Sequence, residues 1–90
     1  MKYDVAVIGG GVVGALISRE LSKYDVKAAV LERCNDIAMG TTKANSAIVH
    51  GGFDAVSGTV KAKLNVEGTA IMPKLCKELN VPYRNNGSLV

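Results

Sequence analysis

Gly9-Gly10-Gly11-Val12-Val13-Gly14 sets glycine at the first, third and sixth places of a hexapeptide. That spacing suits a phosphate held against bare main chain. Gly9 permits a sharp turn, Gly11 lets a pyrophosphate approach the backbone, and Gly14 lets a following helix pack closely on a strand. Glu32 stands eighteen residues beyond Gly14. Its carboxylate can accept from both hydroxyls of an adenosine ribose, and its charge would repel a 2′-phosphate, which disfavours NADP. Gly40-Thr41-Thr42-Lys43-Ala44-Asn45-Ser46 is a run of small donors, suited to lining a phosphate or a flavin ring and equally compatible with an ordinary solvated loop. His50 is the only histidine. Its imidazole could act as acid, base or donor, although a lone histidine between Val49 and Gly51 is more often a structural or surface residue.

Positioning these residues requires a strand, a tight turn, a helix and a second strand. Residues 4–8 form a short apolar run rich in β-branched side chains, which predicts a strand buried on both faces. From residue 12 to about residue 23 the pattern becomes helical. Val13, Ile17 and Leu21 recur four apart with Leu16 beside them, and Arg19, Glu20 and Lys23 fall opposite. Residues 26–31 predict a second strand ending at Glu32. The whole is a βαβ unit with a parallel pair, and the glycine hexapeptide lies at its first crossover. Residues 36–46 read as a polar loop with room for one helical turn. Residues 47–50 predict a short strand, and residues 59–79 predict a helix with Leu64, Ile71, Leu75 and Leu79 as its apolar stripe. Pro73 should kink or split that helix, and Gly68 weakens it. Residues 82–90 suggest a hairpin turning at Asn85-Asn86-Gly87.

The chain has 90 residues, 48% hydrophobic and 21% charged, enough for one small globular domain. Eleven basic residues against eight acidic ones leave a net charge of +3 with no like-charged block. Without a dense basic stripe, nucleic-acid and anionic-membrane partners are disfavoured. The apolar run of thirteen residues from Val5 to Ile17 is too short to span a bilayer and carries four glycines. It reads as strand and turn, which predicts no targeting signal, no transmembrane segment and a cytoplasmic location. Cys34 and Cys76 lack metal-ligand spacing, so both are expected to be reduced and buried, and no metal site is expected. Two parallel strands with one crossover helix leave sheet edges and faces uncovered. The expected fold is therefore α/β, a Rossmann-like βαβ segment with an incomplete parallel sheet. Residues 1–90 read as the front part of a longer protein, or as a chain whose missing strands come from a partner.

Val5-Ala-Val-Ile-Gly-Gly-Gly-Val-Val-Gly, Leu31-Glu-Arg and Gly40-Thr-Thr-Lys-Ala-Asn-Ser-Ala-Ile-Val-His-Gly-Gly-Phe-Asp-Ala together resemble the FAD-dependent oxidoreductases of the D-amino-acid oxidase superfamily. Within it they are most similar to the anaerobic-type glycerol-3-phosphate dehydrogenase branch. The resemblance covers the whole chain but only the opening fifth or so of such a protein. It implies that residues 1–90 are the N-terminal part of an FAD-binding domain. Gly9, Gly11, Val12, Val13 and Gly14 would then lie along the pyrophosphate. Glu32 would hold the adenosine ribose, with Arg33 beside the adenine. Thr41, Thr42, Asn45 and Ser46 would line the phosphates and ribityl chain. Ile48 to Gly51 would run under the isoalloxazine, bringing His50 near the reacting face. The implied reaction moves hydride from a carbon bearing a hydroxyl or amine to the flavin, a base takes the proton, and the electrons pass on to an acceptor. Aerobic glycerol-3-phosphate dehydrogenases carry an arginine two residues after the Gly-Gly pair, where it helps bind the substrate phosphate. Here Asp54 stands there, which leaves 2-hydroxy acids and amino acids open as substrates. The other readings are a module for NAD or a free adenine nucleotide, and a non-catalytic fragment stable only with a partner.

Overall fold

In the computed structural model residues 2–87 are described. They fall into two units, Met1–Ser46 and Ala47–Val90. The first unit contains strand β1 (Val5–Ile8), helix α1 (Val12–Leu21) and strand β2 (Ala28–Leu31). The strands pair in parallel, Val5 opposite Ala28 through Ile8 opposite Leu31, so the connection is the expected βαβ crossover. Asp4 extends the ladder beyond its formal start. Its amide donates to the Lys27 carbonyl at 2.7 Å, and its carboxylate accepts from the Lys27 amide at 2.8 Å.

Gly9 leaves β1 at φ +104°, a conformation that a side chain strongly disfavours, and its amide still donates to the Leu31 carbonyl at 2.8 Å. The chain then turns into α1 so tightly that a Cβ on Gly14 would lie 2.0 Å from the Gly9 carbonyl oxygen. Gly14 is therefore the buried contact of α1 with the turn. The expected apolar stripe is not: Val13 and Ile17 remain 69% and 48% exposed. The strands also differ from expectation. Val7 is buried, but Ile8 and Leu31 are 78% and 54% exposed. A two-stranded sheet with one helix covers only part of either face.

Among its described residues the second unit holds one helix, α2 (Val60–Glu78). Thr59 caps its start, its hydroxyl accepting from the Ala62 amide at 3.2 Å. Its end is a Schellman turn: Asn80 has φ +56°, and the Val81 and Asn80 amides donate to the Cys76 and Lys77 carbonyls. Pro73 lies inside the helix without splitting it. The stripe read from the sequence is again largely uncovered, with Leu64 at 57% and Ile71 at 62% exposure. Cys76 is buried instead, while Asn65, Thr69, Met72 and Leu75 are half-buried. The strand expected at residues 47–50 is absent, since Ala47 adopts φ +55° and no strand pairs with the run. Residues 81–87 contain no strand, and the remainder of the expected hairpin lies outside the described residues. Cys34 is exposed rather than buried, because it follows β2 where the chain leaves the sheet, and both cysteines are free. Among the described residues no helix is long and apolar enough to cross a membrane, and no group of three His, Cys, Asp or Glu could hold a metal.

Candidate functional site

The glycine elbow of the first unit is held by residues far along the chain. The Gly10 amide donates to Glu32 Oε1 at 2.9 Å, and the Gly10 carbonyl accepts from the Ala38 amide at 2.9 Å. Glu32 sits just beyond β2, so the second strand delivers its carboxylate to the turn after the first. Its other oxygen accepts from the Cys34 amide at 2.8 Å. These bonds, Cys34 first and Gly10 second, hold the Glu32 carboxyl below its ordinary pKa. A carboxylate has about four lone-pair positions. Two accept from the protein, which leaves acceptor capacity for a ligand's hydroxyls.

Helix α1 starts at Gly11 with no cap from its own side chain and no acid in its first turn. Thr42 supplies the cap from thirty residues away, its Oγ1 accepting from the Val12 amide at 2.9 Å. The first-turn amides beyond Val12 have no acceptor within the helix, and the dipole presents its positive end there. A cleft opens along this end, lined by Ile8, Gly9, Gly11, Val12, Val13 and Thr42. A Cβ at Gly11 would come 3.0 Å from Thr42 Oγ1, so a side chain there would crowd the passage between elbow and threonine. Uncapped amides, a first helical turn without acids and bare backbone fit a dinucleotide pyrophosphate.

The other expected residues are placed less directly. Arg33, Thr41 and Ser46 are exposed. The Asn45 side chain is turned inward on its own loop, where Nδ2 donates to the Thr41 and Thr42 carbonyls at 3.0 and 2.9 Å. It thereby closes the single turn that the Lys43 and Ala44 amides make with Gly40 and Thr41. Ile48 and His50 belong to the second unit. Ile48 is 69% exposed. The His50 ring is exposed, with Nδ1 3.9 Å from Asp54 Oδ2. Its carbonyl accepts from Asn65 Nδ2 at 2.8 Å and from the Thr69 hydroxyl.

The structure thus gathers Gly9 to Gly14, Glu32 and Thr42 around one elbow. Ala38, Asn65 and Thr69 have places that the sequence reading did not assign. The only advance signal for the last two is a polar pair one helical turn apart on α2.

Residues 4–90 match the family described as FAD dependent oxidoreductase. A glycerol 3-phosphate dehydrogenase of Caloramator mitchellensis is 54% identical over 88 residues, which is 98% of this chain and 18% of that protein. Mitochondrial L-2-hydroxyglutarate dehydrogenases of Dictyostelium discoideum and Nematostella vectensis are each 39% identical over 90 residues, 98% of this chain and 20% of theirs. The chain spans about a fifth of the length of the curated relatives it matches. Because the family match runs through strand, elbow, crossover and second helix alike, the chain belongs to the DAO family of FAD-dependent oxidoreductases.

Proposed function

We infer that residues 1–90 form the N-terminal part of the FAD-binding domain of a flavin-dependent dehydrogenase, and that the whole enzyme oxidises a small hydroxy substrate resembling glycerol 3-phosphate. The observation that carries this reading is the elbow, where Glu32 and Thr42 brace Gly10 and Val12 beside an open helix start. Gly9, Gly11 and the amide of Val13 hold the pyrophosphate, with Val12 lying beside it under the Thr42 cap and Gly14 keeping the helix close. The free acceptor positions of Glu32 take the adenosine ribose, and Arg33 flanks the adenine. Thr41, Thr42 and Ser46 line the phosphates and ribityl chain, and Asn45 shapes their turn. Ile48 to Gly51 lie against the ring system, and His50 offers a nitrogen that can hold or release a proton beside the substrate. Bound FAD supplies the hydride acceptor. That chemistry would suit oxidation of an alcohol to a ketone, with His50 placed to take the hydroxyl proton. Two free thiols suit a reducing compartment such as the cytoplasm.

Asp54 favours a second reading. A carboxylate 3.9 Å from His50 Nδ1 would repel a phosphate that concentrates two charges on one group more than either singly charged carboxylate of a 2-hydroxy acid. The L-2-hydroxyglutarate dehydrogenases among the relatives support the same alternative. The experiment uses the full-length protein. It should purify yellow, and added FAD, not NAD, should raise its melting temperature. Anaerobic glycerol 3-phosphate should bleach the flavin; bleaching by L-2-hydroxyglutarate alone selects the second reading. Colourless protein indifferent to FAD would overturn both.

A further inference from the structure

Helix α2 does not turn its most apolar side toward the rest of its unit. Leu64 and Ile71 remain outside, while Asn65, Thr69 and Met72 are half-buried and Cys76 buried. These four recur at i, i+4, i+7 and i+11, one continuous helical face. Two polar residues therefore occupy a side that packing alone would fill with hydrocarbon.

Both polar residues converge on one atom. Asn65 Nδ2 donates to the His50 carbonyl at 2.8 Å, and the Thr69 hydroxyl donates to the same oxygen. Thr69 Oγ1 also lies 2.9 Å from the Asn65 carbonyl, one turn back. A hydroxyl has one proton to give, so Thr69 serves either its own helix or the His50 peptide at a given moment. The turn that follows lies close against the same helix. A Cβ on Gly52, which has φ +102°, would fall 2.8 Å from Val66 Cγ2. His50 is an exposed residue, where water commonly serves a carbonyl. Two side-chain donors from one helix add direction: they fix the plane of the His50–Gly51 peptide.

We propose that Asn65 and Thr69 are positioning residues that clamp the His50–Gly51 peptide and so set the bearing of the His50 ring and of residues 48–51 toward the cofactor. The proposal rests on the reading that this run lies against the FAD ring. The clamp acts through the peptide, and neither side chain takes part in the chemistry. It requires a hydroxyl at position 69 and a donor amide at position 65.

The test uses the full-length, FAD-loaded enzyme carrying Thr69→Val, Asn65→Asp or the conservative Thr69→Ser. Valine matches threonine in shape, and aspartate matches asparagine while losing the donor, so the two variants challenge the clamp by independent routes. The carbon-13 resonance of the His50 carbonyl, selectively labelled, reads the clamp itself; the flavin absorption band and kcat per bound FAD read its consequence. Thr69→Val and Asn65→Asp should each move that resonance upfield, as losing a donor to a carbonyl does. They should shift the flavin band and lower kcat per bound FAD about tenfold or more. Thr69→Ser should restore all three. An unmoved carbonyl resonance in both variants overturns the clamp, whatever the flavin does. A moved resonance with an unaltered band and turnover overturns the link to the cofactor, and with it the placing of residues 48–51.

Discussion

Glu32 serves the fold before it serves any ligand. Its two oxygens accept from the Gly10 and Cys34 amides, which depresses its pKa. A carboxyl whose folded pKa lies below its unfolded one stabilises fully above the ordinary carboxylate range and loses that contribution as pH falls through the folded value. Acid should therefore loosen the elbow first. FAD affinity, followed by flavin fluorescence, should fall as the pH drops below the ordinary carboxylate range. Glu32→Gln should bind more weakly at neutral pH and lack that acid limb, since its amide nitrogen opposes the Cys34 N–H and cannot titrate. At Gly14 the constraint is steric. A methyl group would meet the Gly9 carbonyl, so Gly14→Ala should cost about 1–3 kcal/mol in denaturant unfolding and lose FAD. The glycine spacing was legible in the sequence because each glycine answers a local demand of the turn. The bond from Glu32 to Gly10 was not, because the same acid at the same spacing is equally suited to a ribose. Asn65 and Thr69 were not legible either: polar pairs at i, i+4 are common on helices, and their shared partner lies across a loop.

Helix α2 shows where sequence rules weaken. Proline inside a helix removes one amide and crowds the preceding turn, and the expectation was a kink or a split. The helix is not split: it runs unbroken from Val60 to Glu78, closed by the Thr59 cap and the Schellman turn at its ends. The lost bond is the one that would reach the Thr69 carbonyl, four residues back. Pro73→Ala should restore it and raise the melting temperature, in line with a gain of up to about 3 kcal/mol. A drop in melting temperature would show that the proline ring contributes packing. The strand expected at residues 47–50 failed for a different reason. A four-residue apolar run reads the same in a loop as in a strand, and the left-handed Ala47 could be seen only in coordinates. The β1–α1–β2 series was recovered with ends shifted by one or two residues, as fraying at element ends would produce.

Across the chain, apolar surface is poorly covered. Ile8, Val13, Leu31, Phe53, Val60 and Ile71 are each more than half exposed. A parallel pair needs cover on both sides, and two strands with one crossover helix do not supply it. A peptide limited to residues 1–90 should therefore bind a hydrophobic dye and unfold over a broad, weakly cooperative transition by circular dichroism. The full-length protein should bind little dye and melt sharply. A sharp transition in the short peptide would mean that these exposed side chains find cover within ninety residues.

The elbow's ties all come from early in the chain. Gly10 is held by Glu32 and Ala38, and Val12 by Thr42. Ribosomes deliver a protein from its amino end, and early segments can organise while later ones are still being made. The turn after β1 and its ties can thus take shape on a nascent chain once residue 42 has emerged, before helix α2 is complete.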